Sequence, residues 1–124
     1  MLECETTYWE TLRAASGAEA DLVEARFHLA NAEVFAVAMG DPQKAAIELE
    51  RAQSYLLLAQ PSVKKDALPI LATIKEKIGA TRRDLETINL ENFDRFERLK
   101  IDLDHLIETV RSQRLAREQL TTQN

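Results

Sequence analysis

The sequence predicts an all-α, four-helix bundle-like fold: an antiparallel helical hairpin followed by two further helices, the last of them long. The chain of 124 residues contains only three Gly and three Pro, well below the roughly 7% and 5% of average proteins. Few turns can therefore interrupt long elements. The abundant residue types (Leu, Ala, Glu, Arg, Lys and Gln) are good helix formers. No stretch alternates convincingly with the period of two that a half-buried strand requires.

The first two helices are predicted from apolar residues that recur every three or four positions, the spacing of one buried helix face. The first helix should begin within residues 4–20 and end at about Ala38. Its stripe is Leu22, Ala25, Leu29, Ala32 and Ala36. The second helix is predicted over residues 42–59, and its stripe is Ala45, Leu49, Ala52, Leu56 and Ala59.

A tight turn between these helices is the clearest boundary in the chain. Gly40 suits the left-handed position after a helix, Asp41 suits an N-cap, and Pro42 suits a first helical position. So short a link makes the two helices antiparallel neighbours. The hairpin resembles that of tetratricopeptide repeats, although no second copy follows at their period of about 34 residues.

The third helix should begin at Ser62 or at Asp66, and Asp66 is favoured as the N-cap because Pro69 is tolerated only within a first turn. Its predicted apolar face is Leu71, Ile74, Ile78, Leu85 and Ile88. Asn89 is predicted to cap a fourth helix, which carries opposite charges four residues apart on its outer side, Lys100 and Asp104 among them. The domain should span residues 19–116, between an N-terminal extension at 1–18 and a disordered tail at 117–124.

The fourth helix carries a heptad-like apolar seam, close to that of a coiled coil. The seam residues are Phe93, Phe96, Leu99, Leu103, Leu106 and Val110. A helix over 90–116 would be about 40 Å long and would extend past the hairpin. The seam is therefore the candidate interaction surface, for a protein partner or for a second copy of the chain.

Several function classes find no support in the residues. The net charge is −5 and the basic residues form no stripe, which argues against nucleic-acid binding. No apolar run approaches the roughly 20 residues of a membrane span. Cys4 is the only cysteine, and the sequence contains no HxxxH, ExxH or CxxC spacing of metal ligands with His28 or His105. We expect no catalytic residue, metal or cofactor; the alternative is a tetrapyrrole bound near His28 or Met39.

Four segments within residues 21–107 resemble, in order and spacing, the helices of one family. They are VEARFHLANA at 23–32, GD at 40–41 followed by AAIELERA at 45–52, LPILATI at 68–74, and NLENFDRFERL at 89–99. The family is the HemX-type proteins of proteobacteria, often labelled uroporphyrin-III C-methyltransferases. The resemblance implies a helical domain on the periplasmic side of the inner membrane, anchored by one N-terminal span. That span has no counterpart in this chain.

The function expected from residues and resemblance together is a non-catalytic scaffold associated with tetrapyrrole biosynthesis. Methyltransferase chemistry of the labelled kind requires an α/β fold with Gly-rich loops, and this sequence has neither. The alternative is a free-standing cytoplasmic adaptor that self-associates through its C-terminal helix.

Overall fold

The computed structural model describes residues 17–87 and 90–123, with the side chains of 17–87 and 94–120. These residues form four α-helices and no strand, which confirms the all-α prediction. The helices are α1 (Gly17–Glu33), α2 (Pro42–Ala59), α3 (Leu68–Arg83) and α4 (Leu90–Gln123). A π-helical turn, Val34–Ala38, extends α1, and short 3-10 turns follow α2 at Gln60–Ser62 and α3 at Leu85–Thr87.

The four helices close into a ring in which each helix packs against two neighbours. Helix α1 lies against α2 and α4, and α3 completes the ring because it also lies against α2 and α4. The most extensive contact is between α1 and α2, the two arms of the hairpin. The four-helix bundle-like arrangement expected from the sequence is therefore present.

The turn between α1 and α2 is built as the sequence predicts. Gly40 has a φ of 60°, a left-handed conformation that costs glycine nothing. The Asp41 side chain accepts a hydrogen bond from the backbone N–H of Lys44 at 3.1 Å, and Pro42 is the first residue of α2. The predicted limits of α2 are also confirmed.

The start of α3 differs from the prediction. Ala67, not Asp66, occupies the N-cap, and it makes no side-chain capping bond. Asp66 instead accepts hydrogen bonds at 3.2 Å from the side-chain amide of Gln113 in α4. Its carboxylate therefore ties the start of α3 to α4. Pro69 lies in the first turn of α3, as predicted, while Ile88 and Asn89 lie outside the described residues.

The apolar seam of α4 forms one wall of the hydrophobic core. Phe96, Leu103 and Leu106 have no exposed surface, and Leu99 and Val110 are 3% and 6% exposed. The stripes of α1, α2 and α3 supply the other walls, and they include the fully buried Leu22, Leu29, Leu49, Leu56 and Ile78. A side chain buried in this way is unavailable to a partner, so the seam is not an exposed interaction surface.

The described helices continue past both predicted boundaries of the domain, residues 19 and 116. Helix α4 runs to Gln123, through most of the segment 117–124 that was expected to form a disordered tail. The sequence beyond residue 110 is rich in good helix formers, and Arg114 pairs with Glu118 one turn later at 2.9 Å. At the other end, Ala18 and Glu19 are buried, so the domain begins no later than the start of α1.

The far end of α4 extends beyond the hairpin, as its length predicts. At 1.5 Å per residue, α4 is about 51 Å long and α2 about 27 Å. Arg114 still reaches Glu19 near the start of α1, whereas residues 115–120 are all exposed.

Truncating the centre of the seam should destabilise the fold. Leu103→Ala removes a fully buried side chain, and we expect it to lower the free energy of unfolding by about 2–5 kcal/mol. Ile101→Ala, on the same helix but at a side chain that is 53% exposed, is the matched control and should cost less than about 1 kcal/mol. Urea denaturation followed by circular dichroism measures both. Equal effects would show that the seam is not core.

Candidate interaction surface

The residues that the sequence singled out as an interaction surface lie inside the bundle. Five of the six, Phe96, Leu99, Leu103, Leu106 and Val110, are covered within the chain, where α4 packs against α1 and α3. The side chain of Phe93 lies outside the described residues. A heptad-like seam needs a partner helix, but its spacing does not reveal whether that helix belongs to the same chain.

Exposed apolar side chains are concentrated on the hairpin instead. Of the eleven large hydrophobic side chains exposed within the described residues, seven belong to the hairpin. They are Phe27, Val34, Val37, Met39, Ile47, Leu57 and Leu58. Clustered exposed apolar surface is typical of a binding site, whereas single exposed residues are ordinary.

A part-buried pair of polar side chains joins the two arms of the hairpin at its middle. Nδ1 of His28 in α1 lies 2.6 Å from Oε2 of Glu48 in α2, and the two side chains are 13% and 9% exposed. Arg51, one turn further along α2, donates to the other carboxylate oxygen of Glu48 at 2.8 Å. Both oxygens of this buried carboxylate are thus satisfied, as burial of a charge requires.

The charge of Glu48 is favoured by its neighbours. Burial tends to raise the pKa of Glu48, but the hydrogen bond and charge of His28, the charge of Arg51 and a hydrogen bond with Asn31 outweigh it. The net effect lowers the pKa of Glu48 below its usual value, so the carboxylate stays ionised to lower pH than a solvated glutamate would.

Aromatic rings extend this polar centre to the surface. The Tyr55 ring stacks on His28 with centroids 5.4 Å apart and an interplanar angle of 12°. Phe27, 58% exposed, meets the histidine ring edge-on, also at 5.4 Å. These ring contacts favour particular orientations of the half-buried Tyr55 and the exposed Phe27.

Beside Tyr55, a shallow groove of about 410 Å³ runs along the outer face of α2. Ile47 and Leu58 line its two ends, and Arg51 and Ser54 lie between them. We define the hairpin patch as Phe27, Ile47, Arg51, Tyr55 and Leu58. It combines exposed apolar and aromatic groups with an exposed guanidinium, the composition that binding hot spots favour.

Ion pairs hold α1 against α4 on the side away from α2. Lys100 lies 2.8 Å from Glu33 and 2.6 Å from Glu97. Burial tends to lower the pKa of Lys100, but these hydrogen bonds and charges raise it on balance. Asp104 pairs with Arg26 of α1 at 2.8 Å, so the predicted pair of Lys100 with Asp104 is wrong.

The buried carboxylate of Glu19 belongs to the same boundary between α1 and α4. It accepts a short hydrogen bond from Arg114 and lies 3.5 Å from Arg111. Hydrogen bonds to Glu19 and Glu118 raise the pKa of Arg114. These pairs fix the position of α1, and with it the position of the hairpin patch.

The described residues contain no group of three His, Cys, Asp or Glu side chains that could hold a metal ion. None of their helices is long and apolar enough to cross a membrane. His105 is exposed. The His28 side chain is 13% exposed, and Met39 is 65% exposed.

Comparison with protein-family models, with curated proteins and with solved structures found no match to this chain.

The stabilising effect of Glu48 should depend on pH. Because its pKa is lowered in the folded state, its contribution is complete above the pKa of the unfolded chain and is lost as the pH falls through the folded-state value. We expect Glu48→Gln to lower the free energy of unfolding by about 1–3 kcal/mol at neutral pH. This difference should narrow between about pH 5 and about pH 3.

Denaturant titrations at several pH values measure this difference. The control is Glu50→Gln, also on α2, where the side chain is 68% exposed; it should change stability by less than about 1 kcal/mol at every pH. A penalty for Glu48→Gln that stays constant down to pH 3 would contradict the role given to its charge.

Proposed function

We propose that this protein is a non-catalytic helical interaction domain that binds a protein partner through the hairpin patch. The observation that carries the proposal is the group of exposed apolar side chains in the patch, Phe27, Ile47 and Leu58, of which the last two line the groove on α2. The His28–Glu48 pair fixes the arms relative to one another, so the surface is organised before a partner arrives. Preorganisation lowers the cost of binding because fewer groups must be ordered.

The family resemblance supports a more specific proposal. A HemX-like chain would present the bundle on the periplasmic side of the inner membrane and serve as a scaffold near the enzymes of tetrapyrrole synthesis. This proposal rests on the four helical segments quoted above. It predicts a hydrophobic span of about 20 residues upstream of the bundle in the same reading frame.

The second proposal is a free-standing cytoplasmic adaptor that self-associates. The exposed apolar residues Leu115 and Leu120, 46% and 65% exposed, support a role for the end of α4. Contact through the central seam of α4 would require the bundle to open, because that seam is buried.

Site-specific photo-crosslinking in the native host tests the first proposal. We expect a crosslinking amino acid in place of Leu58 to give a discrete protein adduct, because that side chain is 62% exposed within the patch. The control position is Ile70 on α3, which is 45% exposed but outside the patch, and it should give none. Adducts at position 70 and none at position 58 would contradict the proposal.

A charged substitution provides the complementary test. Leu58→Asp should leave the helical content unchanged, because the side chain is exposed, and should abolish adducts formed from position 47 at the other end of the groove. Circular dichroism and the crosslinking yield measure the two effects. Unchanged crosslinking from position 47 would exclude Leu58 from the contact.

A further inference from the structure

We propose that one partner of the hairpin patch is a second copy of this chain, paired through α2 in a parallel, in-register arrangement. This inference rests on the proposed interaction function and names the partner. It follows from the outer face of α2, where apolar residues and opposite charges are placed so that the surface complements itself.

The outer face of α2 carries a stripe of four residues at helical spacing. Ile47, Arg51, Ser54 and Leu58 follow each other at intervals of four, three and four, so they share one side of the helix. This side faces away from the core, and the apolar ends of the stripe are 49% and 62% exposed. The stripe covers three turns, or about 16 Å.

The centre of the stripe permits a close approach. Ser54 is small, and its hydroxyl donates to the backbone carbonyl of Glu50 at 3.1 Å. The one proton that this hydroxyl can donate is therefore already bonded within the helix. A second α2 could lie against this position without leaving that hydroxyl proton unpaired.

Opposite charges lie towards the two edges of this outer face, Arg51 within the stripe and Glu50 beside it. Glu50 lies on the side of α3, where its carboxylate is 3.9 Å from Arg82. Arg51 lies on the side of α1, where it donates to Glu48. The Arg51 and Glu50 side chains are 58% and 68% exposed, so both retain surface that a neighbouring molecule can contact.

These charges select the orientation of the pair. A two-fold axis parallel to the helices brings the α1 side of one copy against the α3 side of the other. Arg51 then meets Glu50 of the partner subunit, and the symmetric contact repeats this pair. An antiparallel pair would bring α1 side to α1 side, with Arg51 beside Arg51 of the partner subunit. Like charges disfavour that arrangement.

The parallel pair also matches the apolar ends. Ile47 lies against Ile47 of the partner subunit, and Leu58 lies against Leu58 of the partner subunit. Such an isologous contact needs one self-complementary patch and closes at two copies. Three turns of one helix bury less than the roughly 800 Å² per partner of a standard interface, so we expect a dissociation constant in the micromolar range.

Sedimentation analysis from about 5 µM to about 500 µM, a range that spans micromolar affinities, tests the dimer. The parent chain should approach the mass of a dimer at the upper end, and Leu58→Asp should remain a monomer throughout. Arg51→Glu and Glu50→Arg should each weaken the dimer at least tenfold, and the double exchange should restore it. Leu120→Asp, at the end of α4, is the matched control and should dimerise like the parent.

A cysteine crosslink tests the orientation independently of the charge variants. In a Cys4→Ser background, Leu58→Cys should form a disulfide-linked dimer under mild oxidation, because the parallel pair places the two sulfurs together. An antiparallel pair would place them about 16 Å apart, too far for a disulfide. Ser112→Cys, exposed on α4, is the control and should form no disulfide-linked dimer.

Two results would overturn the inference: a parent chain that stays monomeric at the highest concentration, or a dimer that Leu120→Asp abolishes and Leu58→Asp does not. The photo-crosslinks from position 58 distinguish a failure of the dimer from a failure of the proposed interaction function. An adduct heavier or lighter than two copies of the chain would leave the interaction function standing without the dimer. A chain that stays monomeric and gives no adduct from position 58 would contradict both the dimer and the interaction function.

Discussion

The burial of the α4 seam against α1 and α3 is the constraint on which the rest of the structure depends. Without it, the apolar stripes of α1 and α3 would each lose one of their two neighbours in the ring. Ion pairs set the position of α4 along α1, from Lys100 with Glu33 to Arg114 with Glu19. The apolar residues of the seam, which the sequence suggested for assembly, are therefore buried in the core. The outer faces of α1 and α2 are left exposed to solvent.

Features that depend on neighbouring residues could be predicted from the sequence. The limits of α2 and the hairpin turn follow from Gly40, Asp41 and Pro42, whose conformational preferences act within a few residues. The buried stripes of α1 and α2 follow from helical periodicity, because only one face of each helix meets the core. The all-α fold follows from the same local preferences, summed over the whole chain.

Features that depend on distant residues could not be predicted from the sequence. Lys100 bonds to Glu33, which is 67 residues away, whereas local spacing predicted a pair with Asp104. Asp66 bonds to Gln113, which is 47 residues away, whereas local spacing predicted that it caps a helix. The same limit applies to the α4 seam, because its spacing did not reveal that the helices covering it belong to the same chain. Phe27 and Ile47 gave a weaker pattern than the α4 seam, and their exposure depends on how the four helices pack. The available signal in the sequence was that both residues lie off the buried stripes of α1 and α2.

The most direct test of this account is hydrogen–deuterium exchange of the free chain, followed by mass spectrometry. If α4 closes the bundle, amides of residues 96–110 should exchange as slowly as those in the middle of α2, because both open only when the whole domain unfolds. Amides of residues 115–123, beyond the bundle, should exchange much faster. If residues 96–110 instead exchange as fast as residues 115–123 while α2 stays protected, the seam is open in the free chain, and the surface that awaits a partner is α4.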